Sequence, residues 1–202
     1  MTTTFGITFD YLCPFARNAN EHVVAGLRGG ADWDVTFVPY SLAQGHVGAA
    51  GTAVWDRADP NRSSGIMALH VGIAVRDRFP DHFLDVHSEL FAARHDRGED
   101  LRERDVIAKA LEDADLDPIE VLAVLEDGGF LRQLREEHER AVADHEVWGV
   151  PTFIGSDRAV FVRILDRHEG DIPDSIDRIE RIMTLVDGFP DLHEFKQTDL
   201  PV

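Results

Sequence analysis

The sequence predicts an α/β domain carrying an inserted all-helical subdomain, and three observations point to it. Runs with apolar residues at every second position stand near both ends of the chain, at 5–10, 33–40 and 150–165. Helical periodicity follows the first run and the last. Between residues 63 and 143 only the helical period is present, with no convincing strand. Removing that block leaves the order β-α-β…β-β-α. A long excursion between two strands of one sheet is an inserted subdomain. The predicted division is 1–62 with 144–202 for the α/β domain, and 63–143 for the insertion.

In the first strand Phe5, Ile7 and Phe9 share a face. After Pro14, the residues Phe15, Ala19, Val23 and Leu27 form one helical stripe, stopped by Gly29 and Gly30. Trp33, Val35, Phe37 and Pro39 then share a face of the second strand. Residues 41–62 read as irregular. The insertion carries stripes at Ile66, Leu69 and Ile73, at Phe83, Val86, Leu90 and Phe91, and at Leu101, Val106, Ile107, Ala110 and Leu111. Pro80 separates the first two, and Asp117-Pro118 starts a helix that Gly128-Gly129 ends. A further helix covers 130–144. Gly155-Ser156-Asp157-Arg158 reads as a hairpin turn between two late strands. A last helix shows Ile176, Ile179, Ile182, Met183 and Val186, and the tail 189–202 reads as a proline-bounded strap.

The formal charge is −18, from 38 acidic against 20 basic residues. A chain this acidic repels phosphate backbones, so nucleic acid is not an expected partner. No apolar run reaches the eighteen residues of a membrane span, and the first residues lack a signal-peptide pattern. The expectation is a cytoplasmic protein, monomeric or homodimeric. One cysteine cannot form an intramolecular disulfide, which fits a reducing compartment. The ten histidines lack the i, i+4 spacing of paired ligands on a helix, so no metal site is expected. His46, in the irregular segment, is a further candidate for the site.

That cysteine, Cys13, sits where the first strand meets the first helix. With Pro14 at the first helical position, Cys13 becomes the N-cap. Its sulfur then faces free N–H groups and the positive end of the helix dipole, which favours the thiolate, the nucleophilic form. A small buried hydrophobe is the alternative for a lone cysteine. Val150-Pro151 is either a cis bond or an ordinary proline opening a strand. If cis, it leaves the Val150 N–H and C=O open to a substrate chain. Trp148 either lines a pocket or belongs to the core.

Asp10-Tyr11-Leu12-Cys13-Pro14-Phe15-Ala16 resembles the active-site turn of the thioredoxin-like proteins of the DsbA type, and Trp148-Gly149-Val150-Pro151-Thr152-Phe153 resembles their cis-proline segment. The helical block matches the insertion that distinguishes this type from plain thioredoxin. The resemblance covers essentially the whole chain. It implies a thioredoxin-like fold, Cys13 as the nucleophile, and Tyr11, Pro14, Phe15, Trp148, Val150 and Pro151 as its substrate-binding surround. The tail resembles the C-terminal signature of an actinobacterial branch that works with mycothiol.

The family motif carries a second cysteine where this chain has Ala16. A mixed disulfide at Cys13 then has no internal thiol to resolve it. The implied enzyme is a monothiol oxidoreductase, with mycothiol or glutathione as cosubstrate rather than a tightly bound cofactor, and with a disulfide or electrophile as substrate. An anionic thiol calls for basic residues, and Arg17, Arg57 and Arg62 are candidates. Kappa-type glutathione transferases and hydroxychromene-carboxylate isomerases resemble the same family with serine at the cysteine position, so Cys13 could instead stabilise a bound thiolate. A binding protein that has lost its chemistry is a third alternative, supported by Ala16.

Overall fold

A computed structural model describes residues 2–48, 50–61, 65–126, 128–189 and 191. Arg62, the first residues of the expected insertion and nearly all of the tail lie outside them. Four strands are present among the described residues: β1 (Thr3–Phe9), β2 (Trp33–Pro39), β3 (Thr152–Ile154) and β4 (Ala159–Phe161). The helices are α1 (Pro14–Arg28), the short α2 (Leu42–Gly45), α3 (Ile66–Arg78), α4 (Phe83–His95), α5 (Arg104–Asp113), α6 (Pro118–Val124), α7 (Gly129–His145) and α8 (Ile172–Gly188). The architecture is a thioredoxin-like α/β fold.

The sheet order is β2-β1-β3-β4. β1 runs parallel to β2, with Phe5 opposite Val35 and Ile7 opposite Phe37. β3 runs antiparallel to β1, and β4 antiparallel to β3. The turn after β3 closes with the Gly155 N–H donating to the Arg158 carbonyl at 2.8 Å. The late strands are shorter than the sequence periodicity suggests. From Phe5 to Phe9 every residue of β1 is buried, because this central strand is covered on both faces. Alternation therefore assigns only half of its buried side chains. Thr8 is the polar exception, and its hydroxyl accepts the Thr152 N–H at 2.7 Å.

The segment 41–61 is less irregular than expected. Ser41 caps α2 through a hydrogen bond from Gln44, and a 3-10 turn follows at Val54–Asp56. The inserted helices are welded to the sheet: α7 packs on β2 and α4 on α1. One hydrophobic cluster takes in residues of the sheet and of the insertion together. α3 is the axle of the insertion, with every residue from Ile66 to Val75 buried. A helix apolar all round belongs inside a core. Its Gly72 leaves the space that the Tyr11 phenol fills.

At the junction of insertion and sheet, a histidine stands among aromatic rings. His87 is 1% exposed, with Phe9, Phe37, Phe83 and Phe91 centred 4.8–5.2 Å from it. The Tyr11 hydroxyl lies 2.9 Å from Nδ1, and Asn20 Oδ1 lies 3.0 Å from Nε2. The Asn20 amide nitrogen donates to the Ala16 carbonyl at 2.8 Å, so its oxygen faces the histidine and accepts. The ring therefore donates from Nε2, and Tyr11 donates to Nδ1. No helix of the described residues is long and apolar enough to cross a membrane.

Burial lowers His87 from 6.5 to about 3, and His70 and His138 from 6.5 to about 4. The unfolded chain binds these protons first, so their contribution is whole above pH 6.5 and falls as pH drops toward the folded values. Asp10, raised from 3.8 to about 6, opposes them, since between those values the folded state holds the proton. The histidines outnumber it. Stability should fall as pH is lowered from 6.5, and His87→Gln, though less stable at neutral pH, should show a slope shallower by up to about 1.4 kcal/mol per pH unit. Denaturant midpoints at several pH values test this, and equal slopes in the two proteins would remove His87 as the cause.

Candidate functional site

Cys13 is the N-cap of α1, with extended backbone (φ −97°, ψ 118°) and Pro14 behind it in the first turn. Its sulfur accepts the Ala16 N–H at 3.4 Å. The thiol donates to the Val150 carbonyl, also at 3.4 Å. The Val150–Pro151 bond is cis. Neighbouring contacts hold that segment: the Thr152 hydroxyl donates to the Gly149 carbonyl at 2.8 Å, and the Val162 N–H donates to the Pro151 carbonyl at 3.1 Å. The Val150 carbonyl thus accepts the thiol on one of its two lone pairs. Ala16 is fully buried.

The N-cap position is as the sequence implies, but its electrostatic consequence is reversed. Burial pushes the Cys13 thiol up from its ordinary value. The N–H groups of Ala16 and Phe15 oppose it, the Asp10 charge adds to it, and the Arg163 charge opposes it. Cys13 is only 7% exposed. Two N–H groups and half a helix dipole do not offset the removal of a thiolate from water. The Val150 carbonyl works the same way, since an acceptor facing the sulfur stabilises the protonated form alone.

Asp10 is a component the sequence reading passed over. Its carboxylate accepts the Leu12 N–H at 2.9 Å and the Leu42 N–H at 2.8 Å. It joins the Cys13 turn to the start of α2. Burial raises it to about 6 against those two hydrogen bonds, so at pH 7 it is largely ionised. An acidic residue closing an otherwise apolar strand was the available signal.

Tyr11 does not belong to an exposed surround. It is fully buried, packed against Phe9 and Phe91, and turned to His87. Its carbonyl accepts from His95 Nε2 at 2.9 Å. Pro14 is exposed and Phe15 half-buried beside Cys13. Trp148 is not core: it is 69% exposed and lies on the Phe161 ring, centroids 4.5 Å apart. His46 is exposed at the end of α2. Among the described residues no group of three potential ligands could hold a metal ion.

Arg17 is buried and paired with Asp96 at 2.8 Å, so it is a structural cation rather than one facing the site. No contact places Arg57 near Cys13. The cation beside the site is Arg163, whose guanidinium lies 4.6 Å from the centroid of the Phe15 ring. Arg163 follows β4 by two residues and lies 5.8 Å from the centroid of the Phe161 ring. Their meeting with Phe15 is set by the fold, not by sequence proximity.

The model of the DSBA-like thioredoxin domain matches residues 6–168. No curated protein matches the chain in sequence. Among solved structures, the chain is similar to a 2-hydroxychromene-2-carboxylate isomerase (17% identity, 90% of this chain and 94% of that one, TM-score 0.63). It is also similar to a probable DsbA oxidoreductase from Streptomyces coelicolor (14% identity, 97% and 94%, TM-score 0.62). DsbA of Pseudomonas aeruginosa is a third (18% identity, 88% and 80%, TM-score 0.56). At these identities the likeness is one of fold.

Alkylation of Cys13 should show a midpoint above the roughly 8.5 of a free cysteine. Asp10→Asn removes a like charge and should lower that midpoint, with faster alkylation at neutral pH and a stability cost of about 1–3 kcal/mol from the disturbed amide contacts. An unchanged pH profile would show that Asp10 does not act on the thiol.

Proposed function

This chain belongs to the DSBA-like thioredoxin domain family, and from that premise we propose that it is a thiol–disulfide oxidoreductase working through a single thiol with a low-molecular-weight thiol, mycothiol or glutathione, in the cytoplasm. One observation carries the proposal: a thiol at the N-cap of α1, against the cis-proline segment, with a buried alanine where a resolving cysteine would stand. The Cys13 thiol gives its proton to water, and the thiolate attacks one sulfur of a disulfide. The S–S bond breaks and the other half leaves as a thiolate. A small thiolate then attacks the non-protein sulfur of the mixed disulfide, freeing Cys13 and forming a new disulfide. The protein is neither oxidised nor reduced overall.

The raised thiol has a kinetic consequence. An ordinary cysteine is a few per cent thiolate at pH 7, and a higher value leaves less. Greater intrinsic nucleophilicity recovers only part of the loss, because the Brønsted slope is about 0.4–0.5. Exchange should therefore be slow at neutral pH and rise through the alkaline range.

The same protonated thiol favours a second function. An S–H held as a donor suits stabilisation of a bound cosubstrate's thiolate, as in an isomerase or kappa-type transferase, and the fold likeness to the 2-hydroxychromene-2-carboxylate isomerase agrees with it. Cys13→Ser separates the two, since a hydroxyl still donates but does not form a disulfide. Exposure to oxidised mycothiol or glutathione should add one small-thiol mass to the wild type and none to Cys13→Ser. Exchange activity should fall at least a hundredfold in the variant. No adduct on the wild type, with thiol-dependent isomerase or transferase activity retained in the variant, would transfer the assignment to the second function.

A further inference from the structure

Beside Cys13 lies a shelf of aromatic rings carrying one cation. The exposed Trp148 indole lies on Phe161, centroids 4.5 Å apart and planes inclined at 36°. Arg163 lies 5.8 Å from the Phe161 centroid and 4.6 Å from that of Phe15. Phe15 is two residues beyond Cys13, and Trp148 is two residues before Val150, whose carbonyl receives the thiol. Both ends of the shelf therefore rest on the two segments that hold the sulfur.

Packing does not account for this arrangement. An indole left 69% in water forgoes most of the burial a tryptophan offers a core. Arg17, Arg167 and Arg178 are each paired with a carboxylate. Arg163 has no carboxylate partner among the described residues. In a chain of charge −18, a guanidinium held over ring faces, with no carboxylate on its N–H edges among the described residues, is a place for an anion. Its planar fork matches a carboxylate.

We propose that the shelf binds one half of the disulfide that meets Cys13, with a planar aromatic group lying on Trp148 and Phe161 and an attached carboxylate paired by Arg163. This rests on Cys13 being the attacking group. The thiol loses its proton to water, its thiolate attacks the nearer sulfur, and the S–S bond breaks to release the aromatic carboxylate as a free thiolate.

The test compares two aromatic disulfides with the full-length protein, the anionic nitrobenzoate disulfide used for thiol titration and a neutral dipyridyl disulfide. Each rate is normalised to that of free cysteine. Losing Arg163 changes the thiol equally for both reagents, so their ratio isolates recognition. Arg163→Gln should lower the anionic-to-neutral ratio by about threefold to fivefold at low salt, the size of an exposed charge pair, and added salt should shrink the difference. Arg104→Gln, an equal change of net charge at an exposed arginine opening α5, should leave the ratio within the error of the wild type. Equal ratios in all three proteins would overturn the proposal while leaving the monothiol chemistry in place. Failure of native Cys13 to react with either disulfide would overturn both. A second readout avoids the thiol: in Cys13→Ser, nitrobenzoate should saturably quench the exposed Trp148, and a concentration dependence unchanged by Arg163→Gln would also overturn the proposal.

Discussion

The contact chain Tyr11–His87–Asn20–Ala16 holds the site in place. It is short, buried and fully paired: Tyr11 donates to His87, His87 to Asn20, and Asn20 to the Ala16 carbonyl. Its members come from the end of β1, from α4 and from α1, so it pins the insertion to the strand and helix that flank Cys13. A buried group left without its partner costs about 1–3 kcal/mol, so each element constrains the others. Tyr11 is the hinge of this arrangement. Its phenol enters the space left by Gly72, while its carbonyl, on the same turn as Cys13, is held by His95.

The sulfur sits where two opposing influences meet. The N-terminus of α1 offers N–H groups that favour a thiolate, and burial with the Val150 carbonyl favours a thiol. Desolvation prevails because the Cys13 side chain is itself buried. The balance is adjustable, since the charges of Asp10 and Arg163 act on it with opposite sign. A ligand that neutralised Arg163 would shift it toward the thiol. One that displaced the Val150 contact would shift it toward the thiolate. Binding and reactivity are therefore coupled at this sulfur by geometry.

The surface charge has a local counterpart. The acidic excess lies on a protein whose cations are mostly tied up in pairs, as in the cluster of Arg17, Arg167, Glu21 and Asp96. Such pairs add little stability where they are exposed. Other arginines, such as Arg104 and Arg158, also lack a salt bridge among the described residues; what sets Arg163 apart is its position over the Phe15 and Phe161 rings.

The element order, the insertion, the N-cap role of Cys13 and the absence of a second thiol were all legible in the sequence. Each depends on residues a few positions apart, through periodicity, a proline at the first helical turn, or a single side-chain identity. The inward turn of Tyr11, the shelf position of Trp148, the pairing of Arg17 with Asp96 and the presence of Arg163 were not. Nor was the direction of the thiol's shift. These depend on groups distant in sequence: the sulfur and its carbonyl acceptor are 137 positions apart, and the cation over Phe15 comes from the far end of the sheet. By itself the sequence determined that one thiol caps one helix and has no internal partner. Only the tertiary structure decided that this thiol is pushed above its ordinary value, because desolvation and carbonyl contact depend on what the rest of the chain packs against the sulfur.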